Sequence, residues 1–126
     1  MKRFFPPLAV LAAILALSLW NARVMEGQTS HLRSQLLQVQ KLAAAENWQG
    51  AEDALADSYA DWTSRQTYLH IVTEHDAVDD AEAMYRRAMA FVLEQEPSEF
   101  RAELADLQDQ LRLLAEMERF SLKNIL

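Results

Sequence analysis

From Phe4 to Trp20 the chain runs 17 residues without a charge, and Ser18 is the one hydroxyl-bearing side chain among them. A helix that crosses a bilayer needs about 20 mainly apolar residues, with a lower bound near 17. Ala22, Val24 and Met25 extend the apolar character past Asn21. Pro6 and Pro7 fall in the first turn, where a missing N–H costs little. Trp20 stands where an interfacial aromatic belongs, and Lys2 and Arg3 precede the run. The positive-inside rule then leaves the N-terminus in the cytoplasm and the residues after about 24 outside. The expectation is an uncleaved signal-anchor whose partner, through residues 4–20, is the lipid bilayer.

Two other uses of such a segment compete with an anchor. As a cleaved signal peptide it would have Met1–Arg3 as its basic region and Leu8–Leu19 as its apolar region, and the rest would be secreted. Cleavage after Ala22 puts the bulky Trp20 at −3, and cleavage after Ala16 puts Ile14 there, where a small residue is wanted. As a core helix it would be apolar on all sides, which so small a soluble domain cannot bury.

The segment changes the meaning of the overall composition. The 126 residues carry 12 Lys and Arg against 19 Asp and Glu, a net charge of −7, with a mean hydropathy of −0.16. Without Lys2 and Arg3 the charge of the remainder is −9. Residues 1–25 therefore read as a cytoplasmic tip and spanning helix, and residues 26–126 as one acidic extracytoplasmic domain. Such a surface argues against a nucleic-acid partner. The absence of Cys excludes a disulfide scaffold, a thiolate metal site and a Cys nucleophile.

The remainder reads as all-α. Beyond the apolar run, Gly occurs only at 27 and 50 and Pro only at 97, and no hairpin-turn dipeptide is present. Four apolar series recur at helical spacing. They are Leu32–Leu36–Val39–Leu42, then Trp48–Ala51–Leu55–Tyr59–Trp62 continuing to Leu69 and Val72, then Val78–Ala81–Tyr85–Ala88–Val92, and last Phe100–Leu104–Leu107–Leu111–Leu114. Ser30 is the expected N-cap of the first and Asn47 of the second. Asp76, with Asp79 three residues on, is the expected N-cap of the third, and Asp80 and Glu82 suit the positive end of its dipole. Pro97 opens the fourth. Residues 68–73 are rich in β-branched and aromatic side chains, yet a lone strand has nothing to pair with, so they are read as the end of the second helix. Short connections make neighbours antiparallel. The expected architecture is a transmembrane helix followed by an up-down bundle of about four helices. The His75–Asp80 turn and the C-terminus then face the membrane.

Few residues offer chemistry. His70 and Glu74 are four apart, and His75, Asp76 and Asp79 follow, a set of imidazoles and carboxylates of the kind that holds Zn²⁺. Neither the H-E-x-x-H order nor an EF-hand loop is present, and the same residues serve equally as the end of one helix and the start of the next. No cofactor motif, phosphate loop or nucleophile–base pair is found, so no enzyme is expected. Trp48 and Trp62 read as core anchors or as a partner-binding surface. Leu122, Asn124, Ile125 and Leu126, in the C-terminal Ser121–Leu126 tail, are further candidates for binding a partner.

Leu19-Trp20-Asn21, Tyr68-Leu69-His70 followed by His75-Asp76, and the terminal Ser121-Leu122-Lys123-Asn124-Ile125-Leu126 carry a resemblance. Across essentially its whole length the chain is similar to the bacterial domain-of-unknown-function family numbered 4363. The resemblance implies a membrane-anchored helical protein of Gram-positive-type bacteria, with no activity assigned. It also implies a small multi-pass membrane protein as a candidate partner. The function expected from these readings is that of an accessory or interaction module at the outer face of a bacterial cytoplasmic membrane, binding another membrane protein or itself. The alternative is a metal- or pH-responsive sensor using His70 and His75 with the adjacent carboxylates.

Overall fold

The computed structural model describes residues 5–72 and 75–125, with side chains described for 5–69 and 75–117. Four helices account for nearly all of this: α1 (Phe5–Ala44), α2 (Trp48–Val72), α3 (His75–Glu94) and α4 (Pro97–Ile125). No strand occurs among the described residues, and Tyr68–Val72 is helical, as the lack of a pairing strand requires.

The apolar series become the inner faces. Leu32, Leu36 and Val39 of α1, Ala51, Leu55, Trp62 and Leu69 of α2, and Val78, Ala81, Tyr85, Ala88 and Val92 of α3 are all buried. From α4 come Phe100, Leu104, Leu107, Leu111 and Leu114. Buried positions alternate at three and four residues, the spacing by which helices interlock side by side. Burying a leucine stabilises by about 1.5–3 kcal/mol, and no single helix can bury its stripe alone.

Cross-helix contacts fix the directions. Between α1 and α2, Gln35 meets Asp61 while Asn21 meets Tyr68. Between α3 and α4, Arg87 meets Glu103 while Ala77 meets Gln110. In each pair one number rises as the other falls, so the helices are antiparallel. Ser58 with Tyr85 and Trp62 with Glu82 show the same for α2 and α3. Backbones approach closely in the pairs α1·α2, α2·α3, α3·α4 and α1·α4, and in no diagonal pair among the described residues. The bundle is therefore a closed square in chain order. The α2–α3 connection lies at the end marked by the Asn21–Tyr68 contact, where the apolar run emerges. The opposite, distal end holds the α1–α2 and α3–α4 turns.

Those two turns have one construction. Asn47 N–H donates to Leu42 O at 2.9 Å and Glu46 N–H to Ala43 O at 3.0 Å. Glu96 N–H donates to Phe91 O at 3.2 Å and Gln95 N–H to Val92 O at 3.3 Å. This reciprocal pattern ends a helix with one residue in the left-handed region. Here those residues are Glu46 (φ 60°) and Gln95 (φ 54°), where glycine is the usual choice. The next helix starts at once. Asn47 Oδ1 accepts from Gly50 N–H at 3.0 Å, and a Cβ on Gly50 would come within 2.6 Å of the Asn47 amide. Gly50 thus leaves room for the cap.

Three sequence expectations are corrected. Ser30 does not cap a helix: α1 passes through Gly27–Ser30 unbroken, because the spanning segment and the first bundle helix are one element of 40 residues. Asp76 lies inside the first turn of α3, since His75 is already helical. Residues before 26 also take part in the bundle, since the inner stripe of α1 includes the buried Ala22 and Met25 and Asn21 bonds Tyr68.

Leu107→Ala empties a fully buried site and should cost about 2–5 kcal/mol, whereas Leu113→Ala, at a position 42% exposed, should change stability by under about 0.5 kcal/mol. Gln95→Gly should instead stabilise by roughly 0.5–1 kcal/mol through relief of the left-handed backbone. Urea unfolding of the detergent-solubilised chain, followed by circular dichroism, checks all three.

Candidate functional site

The outer part of α1 is built unlike the rest. Phe5, Leu8, Leu11, Leu17 and Trp20 are each more than half exposed, and almost none of this stretch is buried by the bundle. It is the one candidate span among the described residues: a helix long and apolar enough to cross a membrane. The structure thus contains a rod of exposed apolar side chains continuous with one corner of a packed square.

Polar groups inside the square cluster on one seam. Glu82, on the α2-facing side of α3, accepts from the Tyr59 hydroxyl and from Trp62 Nε1 at 2.7 Å, and Arg86 Nε lies 3.3 Å from it. Its side chain is only 14% exposed. Behind it the fully buried Tyr85 shares a 2.9 Å hydrogen bond with Ser58, its ring 5.6 Å from that of Trp62 and 5.7 Å from that of Tyr59. The Glu82 hydrogen bond, then burial, raises the Tyr59 pKa above its ordinary value. Burial, outweighing the opposing Ser58 hydrogen bond, raises Tyr85 far above it. Sequence reading assigned Glu82 to the helix dipole. Its position four residues after Val78, beside the stripe and opposite two aromatics with N–H and O–H groups, was the missed signal.

The α1–α2 seam carries a second polar set. Asp61 accepts from Gln35 Nε2 at 2.7 Å, and His31 Nε2 lies 3.3 Å away. The Gln35 bond and then the His31 contact hold the Asp61 carboxyl below its usual range. Both clusters tie helices together.

At the distal end, a cleft of about 170 Å³ opens between α1 and α4. Ala43, Ala44, Trp48, Phe100 and Leu104 line it, with Pro97 at its edge and Gln40 and Arg101 on its rim. Pockets for small molecules usually measure roughly 300–1,000 Å³, so this one is sized for a side chain.

The sequence candidates are placed unevenly. Trp62 is completely buried and hydrogen-bonded to Glu82. It is a core residue, and the surface alternative for it is corrected, since its stripe faces α3. Trp48 is half-buried, lines the cleft and packs against Phe100 at 5.9 Å. His75, Asp76 and Asp79 are exposed on the first turns of α3. The side chains of His70 and Glu74 lie outside the described residues, and no group of three possible metal ligands occurs among those described. Leu122, Asn124 and Ile125 fall on the helical backbone of α4 with side chains outside the description, and Leu126 lies outside it altogether.

With the fold in place, residues 19–125 match the family model described as Domain of unknown function (DUF4363). The chain belongs to this family. The match coincides with the four-helix square and begins at Leu19, so the resemblance is narrower than the whole chain and residues 1–18 precede it. No curated protein and no solved structure matches the chain.

Both tyrosines stay protonated in the folded chain where an unfolded tyrosine ionises, near 10. The stability they lend is complete below that pH and is lost as pH rises above it. Absorbance titration at 295 nm should show Tyr59 and Tyr85 ionising late, and Tyr85→Phe should remove one of the late steps. Glu82→Ala, which leaves the buried Trp62 Nε1 without its acceptor, should cost about 1–3 kcal/mol in urea unfolding.

Proposed function

We propose that this chain is a single-pass, membrane-anchored helical module. Its bundle stands at the outer face of a bacterial cytoplasmic membrane and acts by binding protein rather than by catalysis. The observation that carries this reading is the exposed apolar outer part of α1, continuous with the bundle. Exposing so many large side chains to water is costly at about 25 cal/mol per Å², and a bilayer removes that cost. Lys2 and Arg3 supply the charge asymmetry that keeps the N-terminus inside. The accessory role is supported by an interior filled with packed stripes and cross-helix polar contacts, so a protein partner would meet the outer helix faces.

In a bacterial host the full-length chain should stay in the membrane pellet through alkaline carbonate extraction, and protease added to spheroplasts should digest the bundle. Leu11→Arg combined with Ile14→Asp adds about 5–7 kcal/mol to insertion and should move the chain to the soluble fraction. A wild-type chain released by carbonate would overturn anchoring. Protection of the bundle from external protease would overturn its placement outside.

A further inference from the structure

The distal cleft and one exposed leucine lie on opposite faces of the square. The cleft sits on the α1–α4 face, and the one charged residue that lines it is Arg101, which forms no ion pair among the described residues. From Gly27 to Ala44, α1 carries Arg33 and Lys41 and no carboxylate, in a chain with a net charge of −7. On the α2-facing side of α3, eleven residues and three turns after Glu82, Leu93 is 65% exposed, the most exposed large apolar side chain outside the α1 run among the described residues. Glu94 follows it, also exposed and without an ion pair among the described residues. The Arg87–Glu103 and Ala77–Gln110 contacts set the antiparallel register of α3 and α4. Carried to the distal turn, this register brings Leu93 level with Pro97, the edge of the cleft.

We infer that the cleft receives Leu93 of a second copy of this chain, with Glu94 of that copy against Arg101. This rests on the anchored reading, because two copies held in one bilayer by the same rod present cleft and leucine at the same height. The cavity accepts one aliphatic side chain. The charges are complementary there, whereas the remaining acidic faces repel one another and disfavour other pairings. Because knob and socket lie on opposite faces, the contact is heterologous, joining copies head to tail into a row or ring rather than a two-fold pair.

The cysteine-free chain allows a direct test. Two differently tagged full-length copies, one Ala44→Cys and one Leu93→Cys, are co-expressed and oxidised in the native membrane. A mixed-tag disulfide that exceeds the Ala44–Ala44 and Leu93–Leu93 products about tenfold is expected. Arg101→Glu in the first copy should reduce it about tenfold, and Glu94→Arg in the second should restore it. Both positions are exposed, and circular dichroism checks that each variant is folded. Equal yields of all three products, none at all, or indifference to the charge swap overturns the inference. If the chain still sediments with membranes in that case, anchoring stands and only the self-docking falls. If it does not sediment, anchoring fails as well.

Discussion

Everything in this molecule hangs on the continuity of α1. A helix satisfies its backbone hydrogen bonds within itself, so it can pass from an apolar surrounding into water without leaving an N–H or C=O unpaired. α1 uses that property over 40 residues. Its outer part is almost wholly exposed among the described residues, whereas its inner part supplies Met25, Leu32, Leu36 and Val39 to the core, and the helix packs against both α2 and α4. A break at Gly27 would make two elements whose mutual angle had to be fixed by other contacts. The unbroken helix fixes it by geometry.

Apolar burial closes the square, while the polar contacts select its register. Hydrophobic stripes at three- and four-residue spacing tolerate a slide of one turn with modest loss. A pair such as Gln35 with Asp61, or Trp62 with Glu82, does not, because the slide would strand a partly buried polar group. These contacts are spread over three of the four seams, so each antiparallel pair they join has its own register mark.

Most of the architecture was legible because it depends on period and on local chemistry. The stripes from Leu32, Trp48, Val78 and Phe100 became inner faces because only one packing buries all four. Asn47 and Pro97 marked helix starts because their side chains act within a turn of their own position. Ser30 misled for the same reason in reverse: a hydroxyl before an apolar series resembles a cap, and nothing local reveals that the helix before it does not stop. The distal turns were placed correctly while their construction was hidden, since glutamate and glutamine hold the left-handed positions that glycine would have announced. The site was less legible than the fold. Glu82 was read by its distance from a helix start, but its role comes from Tyr59 and Trp62 about twenty residues away. The cleft exists only where α1, α2 and α4 converge, which no window along the chain contains.

The order of the square also sets a timetable. α1 and α2 are joined by a tight turn and meet as soon as both are made, as do α3 and α4. The other flank of α1 waits for α4, whose end is about eighty residues further on. At ordinary translation speeds that is a delay of roughly 4–16 seconds, far longer than a helical hairpin takes to form. For that interval the apolar flank of α1 next to Leu36 and Val39 stands uncovered. The last-made helix is therefore the one that ends the chain's exposure to aggregation.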